Sequence, residues 1–174
     1  MFLPSMKMPF HDYFKTVVKK APPQEYVFHK GLCKQFKQYA QHWFQFHLAR
    51  TTGELDKRFH WNHNEYSQFS QLAYFGLIKK RRSVVTGKDT DKYVMTSLGE
   101  EFFLGEMTIP DRVVRLDGEI IGPGHEAWDY HYGRKVQQIH IWEAEERPKT
   151  REEWKEETRI ALGYHSPILL APGL

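Results

Sequence analysis

The chain has a single cysteine, Cys33, in 174 residues. That excludes an intramolecular disulfide and every zinc site built on two or more thiolates. Long apolar runs are also missing. The longest, Ala73 to Ile78, is far below the roughly 20 residues that cross a bilayer, so no membrane-spanning helix is expected. The opening Met1-Phe-Leu-Pro-Ser-Met-Lys7 lacks the basic region and apolar core of a secretory leader, and the expectation is a cytoplasmic protein. No Walker loop, G-x-G-x-x-G, G-x-S-x-G, H-E-x-x-H or C-x-x-C occurs. The chain is therefore expected to be non-enzymatic and to need no cofactor. Internal repeats and low-complexity tracts are absent too.

What is present suits a folded domain: 40% hydrophobic residues, 15% aromatic and 27% charged. The net charge of +3 hides a split. Residues 1–99 carry 16 Lys+Arg against 7 Asp+Glu, a balance of +9, and residues 100–174 a balance of −6. A basic front half points to a polyanion-binding surface, or else to two halves that attract each other within the fold.

Prolines at 4, 9, 22 and 23 interrupt the first 29 residues, an N-terminal extension with room for a short helix over His11–Lys20. From Gly31 the period changes. Leu32, Phe36, Tyr39, Ala40, Trp43, Phe44 and His47 recur every three or four residues and predict an amphipathic helix of about five turns, ended by Thr51-Thr52-Gly53. A short helix over Glu54–Phe59 follows. Asn62 with Glu65 three residues later is a capping-box pattern opening another helix, with Tyr66, Phe69, Leu72 and Ala73 as its apolar stripe and Gly76 as its stop. A hairpin then joins Leu77-Ile78 to Tyr93-Val94-Met95, turning at Gly87. Thr96 caps a helix over Ser97–Leu104, and Asp117-Gly118 turns a second hairpin between Val113–Leu116 and Glu119–Ile121. Val136–Trp142 reads as a further strand. Thr150 and Glu153 box the start of an acidic helix, Arg151–Leu162, with Trp154, Ala161 and Leu162 as its contact face.

Two segments carry a resemblance: Leu72-Ala-Tyr-Phe-Gly-Leu-Ile78, and Tyr93-Val-Met-Thr-Ser-Leu-Gly-Glu-Glu-Phe-Phe-Leu-Gly105. They resemble the end of a recognition helix and the strand-to-helix step of winged helix-turn-helix proteins. Over residues 30–121 the chain is similar to uncharacterised winged-helix proteins of phage and prophage origin. A cysteine-rich ribbon found in many of those has no counterpart before Cys33. The resemblance implies an α+β fold with a winged-helix core, an extra β-hairpin and a C-terminal strand-and-helix appendage. The expected divisions are 1–29, 30–121 and an acidic 122–174 packed on the core.

In that arrangement Asn64, Ser67, Gln68 and Gln71 face outward from the second long helix. Asn and Gln amides can pair with adenine edges, and Ser with bases or phosphates. Lys79, Lys80, Arg81, Arg82, Lys88 and Lys92 fall on or beside the wing, where they would meet phosphates. Double-stranded DNA is thus the first partner expected, in a phage or prophage regulatory role. A second reading is a protein-interaction module that docks on a host protein or on itself. It draws on the aromatic residues Trp128, Tyr130, Tyr132, Trp142 and Trp154 and on an acidic C-terminal surface able to imitate DNA. Of the ten histidines, His60 with His63, and His125 with His131, are the closest pairs, with His140, Glu126 and Asp129 nearby in sequence. They lack any established metal-ligand spacing and are read as ordinary histidines.

Overall fold

The computed structural model describes residues 23–132 and 135–163, without the side chains of 130–132. The expected helix over His11–Lys20 lies outside the described residues. The architecture is mixed α+β. In order, it runs β1 (Gln24–Val27), α1 (Lys30–Phe46), α2 (Thr52–Phe59), α3 (His63–Gln68), a 3-10 turn (Phe69–Ala73), β2 (Ile78–Arg82), β3 (Asp89–Met95) and α4 (Ser97–Phe103). There follow β4 (Ile109–Pro110), β5 (Arg112–Leu116), β6 (Glu119–Ile121), α5 (Glu126–Tyr132), β7 (Gln138–Ile139), a 3-10 turn (Ile141–Ala144) and α6 (Arg151–Leu162). No described helix is long and apolar enough to cross a membrane.

The described chain divides into two compact units, one of residues 27–112 with 136–163 and one of 23–26 with 113–135. The acidic residues 122–163 are shared between the two units. The division falls at Val113, and α6 belongs to the larger unit, where it packs on α1.

In the larger unit, α1 buries Leu32, Cys33, Phe36, Tyr39, Ala40 and Phe44, the stripe its sequence period lays out. His29 caps its start, with Nδ1 accepting from the Leu32 amide at 3.1 Å. His47 ends it in the left-handed region, φ 51°. Thr51 is consequently not part of a helix stop. Its hydroxyl accepts from the Glu54 amide at 3.1 Å and opens α2, so Thr52 and Gly53 are helical. Edge-to-face contacts of Phe28 with Phe36, Phe75 and Phe102 and of Tyr39 with Phe69 build the aromatic centre.

The capping box is formed in α3: Asn62 Oδ1 accepts from the Glu65 amide at 2.9 Å, and Glu65 Oε1 from the Asn62 amide at 3.0 Å. The apolar stripe expected on this helix holds only in part. At Phe69 the chain tightens to three residues per turn, which brings Phe69 and Leu72 inward together. Ala73 is left exposed, and Tyr66 is 43% exposed.

The α4 helix begins at Thr96, which accepts from the Gly99 amide at 2.9 Å and donates to the Gly76 carbonyl at 2.5 Å. The single strand expected over Val136–Trp142 is just Gln138–Ile139, paired antiparallel with Ile109–Pro110. It stops at His140, whose amide donates to Glu143 Oε2 at 2.9 Å, and the next residues wind into a 3-10 turn that buries Ile141, Trp142 and Ala144. On α6 the Thr150–Glu153 box is present. Its buried face is Trp154, Thr158 and Leu162, and Ala161 is exposed.

In the smaller unit, β5 and β6 pair antiparallel around Asp117-Gly118, both with positive φ (52° and 82°), and β1 lies on the other side of β5. Two positive φ values make this a twist-matched two-residue turn. Trp128 on α5 is buried.

Candidate nucleic-acid interface

The hairpin β2–β3 gathers the strongest positive charge. Its pairing runs Ile78↔Met95, Lys79↔Val94, Lys80↔Tyr93 and then, across an irregularity at Arg81, Arg82↔Asp89. Ile78, Tyr93 and Met95 are buried and fix the base of the hairpin in the core. Arg50, between α1 and α2, exchanges two backbone hydrogen bonds with Tyr93 (2.7 and 3.1 Å) and so adds a one-residue third strand at that base. Beyond the base, Lys79, Lys80, Arg81 and Arg82 are all exposed, as are Lys88 and Lys92 on the return. The bulge breaks the strict two-residue alternation, so the cations do not sort onto one face.

Few of these cations are neutralised. Arg82 meets Asp89 at 3.8 Å, with both side chains largely exposed. Lys80 Nζ sits 5.9 Å from the Tyr93 ring centroid, a weak attraction that leaves its charge intact. Among the described residues, Lys79, Lys80 and Arg81 have no carboxylate within ion-pair distance. Lys79 to Arg82 with Asp89 and Val94 line an open cleft of about 550 Å³. Of the front half's positive charge, Lys37 is the described cation spent on the acidic half, reaching Glu145 at 2.7 Å. Among the described residues, no hairpin cation is paired with a carboxylate of the acidic half.

The tip of the hairpin is closed by local hydrogen bonds. Ser83 Oγ accepts from the amides of Val85 and Thr86 (3.2 Å each), Gly87 N donates to the Ser83 carbonyl at 2.9 Å, and Ser83 N donates to the Lys88 carbonyl at 2.8 Å. Gly87 takes φ 71°, a conformation glycine adopts without steric cost. This turn holds Val84 and Val85 at 92% and 94% exposure, the most exposed large apolar side chains of the described chain. Sequence reading passed over them because two valines inside a polar loop show no period.

On α3, Asn64 and Ser67 are exposed and Gln68 and Gln71 half-buried. Asn64, Ser67 and Gln68 share the helix, whereas Gln71 belongs to the 3-10 turn. The Ser67 hydroxyl donates to the Asn64 carbonyl at 3.0 Å, which leaves it an acceptor only. Exposed Tyr66 joins this surface unforeseen, and the Glu65 carboxylate is turned back onto the Asn62 amide.

The aromatic residues proposed for protein docking are placed otherwise. Trp128, Trp142 and Trp154 are buried, since indoles of that size stabilise most where they lose water contact, and they offer no exposed surface to a partner. The side chains of Tyr130, Tyr132 and His131 lie outside the described ones. His60 ends α2 in the left-handed region (φ 56°) and His63 begins α3, so the pair brackets a turn and does not share a helix face. His125 accepts from the Ala127 amide and Asp129 from the Gly124 amide. Among the described residues no three His, Cys, Asp or Glu side chains converge on a common point. Compared with known proteins, the chain matches no family model, no curated protein and no solved structure.

Proposed function

We propose that this chain is a winged-helix protein that binds double-stranded DNA without catalysing a reaction on it. One observation carries the reading: an exposed hairpin with six cations and two carboxylates between Lys79 and Lys92, rooted beside a helix that presents amides and hydroxyls. The order helix, one-residue strand at Arg50, helix, helix, hairpin supports the winged-helix arrangement. Duplex DNA is a dense line of phosphates, and free lysines and arginines on a protruding ribbon gain by displacing its counterions. Asn64, Gln68 and Gln71 would then approach base edges, while Lys79 to Arg82, Lys88 and Lys92 set position on the backbone. The two exposed valines at the tip would meet sugar edges, where an apolar contact costs no lost hydrogen bond.

The test is a mobility-shift titration of mixed-sequence duplex at low and moderate salt. Binding that weakens steeply with salt is expected. Absence of binding at low ionic strength, in a protein shown to be folded, would sink the proposal. A phage or prophage regulatory setting, as a DNA-binding factor, fits the same reading. For docking on a host protein or self-association, Trp128, Trp142 and Trp154 are buried, and among the described side chains the acidic outer face of α6 supports that reading.

A further inference from the structure

We infer that the cavity between α1 and α2, lined by His42, Arg50, Glu54, Leu55 and Arg58, binds a phosphoryl group through its two guanidiniums and the imidazole of His42. The cavity measures about 200 Å³. That is below the roughly 300 Å³ at which sites for larger organic ligands begin, so it suits a small ion or the terminal phosphate of a larger molecule.

Two nitrogens of the lining residues are buried and without a partner. His42 is 4% exposed, and its Nδ1 has no hydrogen-bond partner. The Nε of Arg50 is likewise buried without a partner. Buried polar atoms are nearly always satisfied, and two unsatisfied nitrogens lining one cavity with a second arginine match an oxyanion with several acceptor lone pairs. Arg58 is exposed at the mouth of the cavity, its guanidinium 5.6 Å from the Phe46 ring centroid and 5.8 Å from that of Phe59, within reach of a cation–π attraction. Arg50 is anchored by its backbone pairing with Tyr93. One carboxylate opposes the anion: Glu54 Oε2 accepts from Arg50 Nη1 at 3.4 Å.

The charges around His42 give the site a pH response. Burial, then Arg58 and Arg50, hold its pKa below the ordinary histidine value, and Glu54 alone acts the other way. The Phe46 and Phe59 rings, 4.7 and 6.1 Å away, complete its surroundings without charge. These effects favour the neutral imidazole when no anion is bound. A dianion beside it reverses the arginines' effect and favours the imidazolium, so binding takes up a proton and tightens as pH falls toward 6.

This inference is independent of DNA binding. The probes are sulfate, a dianion throughout that pH range, and inorganic phosphate, followed on the full chain by the NMR resonance of the His42 ring against sodium chloride of equal ionic strength. A saturable shift and a rise in the His42 pKa are expected. Arg58→Gln should weaken binding roughly tenfold or more, and Glu54→Gln should tighten it. A duplex without terminal phosphates then separates the sources. If it displaces sulfate from His42, the phosphoryl group is that of the nucleic-acid backbone; if it does not, the ligand is a free phosphate or phosphomonoester. The inference is overturned if sulfate moves His42 no more than chloride does, or if folded Arg58→Gln binds as tightly as the parent.

Discussion

Replacing Trp154 by alanine measures directly whether the acidic tail is part of the fold. The indole is 2% exposed and stands edge-on to Phe103, with ring centroids 5.7 Å apart. Its Nε1 donates to the Phe103 carbonyl at 2.9 Å, at the end of α4, where carbonyls have no helical partner. Lys37 and Lys149 flank the ring at 5.4 and 5.9 Å, so it also spaces the cations that reach Glu145. Truncating a buried tryptophan costs about 3–5 kcal/mol through lost burial and the cavity left behind. For a chain of this size that lowers the midpoint of thermal unfolding by roughly 6–20 °C. Trp154→Phe keeps most of the ring and removes the donor, leaving the buried Phe103 carbonyl unsatisfied at about 1–3 kcal/mol. Urea unfolding followed by circular dichroism gives both values. A Trp154→Ala cost under about 1 kcal/mol would refute the docking of α6 on α1 and α4, because no buried indole comes that cheaply.

Gly99→Ala tests the closest approach in the core. A methyl there would lie 2.2 Å from the Leu77 carbonyl oxygen and 2.6 Å from the Met95 sulfur, so backbone must move. A loss of about 1–3 kcal/mol or more is expected in thermal melts, and an unchanged melt would contradict the contact. Cys33 is buried, and burial, with Glu145 adding to it, pushes its thiol up to about 12. Native protein at pH 8 should resist thiol reagents that label it fully in denaturant. The folded state also holds the thiol proton above the exposed-thiol value of 9.0, so the stability this group contributes is complete below pH 9 and is lost as pH rises toward 12. Wild type compared with Cys33→Ala in urea at pH 8 and pH 10 reads that loss, and equal differences at the two pH values would contradict it.

What the sequence makes legible is local. The α1 stripe follows from a clean helical period, and the two capping boxes follow from Asn62–Glu65 and Thr150–Glu153, where a side chain and an amide three residues apart decide the outcome. The Asp117-Gly118 turn depends on two positive φ values that few residue pairs adopt. The cationic strand is equally plain, since four adjacent cations cannot be buried together. What stays hidden is settled by tertiary contact. Tyr66 and Ala73 leave the predicted stripe because the helix tightens at Phe69, and no residue type signals that change of period. Trp142 and Trp154 look like surplus aromatics until α6 is seen against α1 and α4. His42, Arg50 and Arg58 lie up to 16 positions apart on separate segments, and only the packing of α2 on α1 gathers them around one cavity.

DNA binding through the basic hairpin is the claim on which the functional reading rests. The decisive measurement is fluorescence anisotropy of a labelled duplex over a salt series, for the parent chain and for Lys79→Ala/Lys80→Ala/Arg81→Ala, with circular dichroism confirming that both are folded. Each phosphate contact contributes about 0.9 to the slope of log K against log salt, so three lost contacts should flatten the slope by about 2–3 and weaken binding at every salt concentration. A variant with unchanged affinity and slope, or a parent chain that binds no duplex at low salt, would contradict the account.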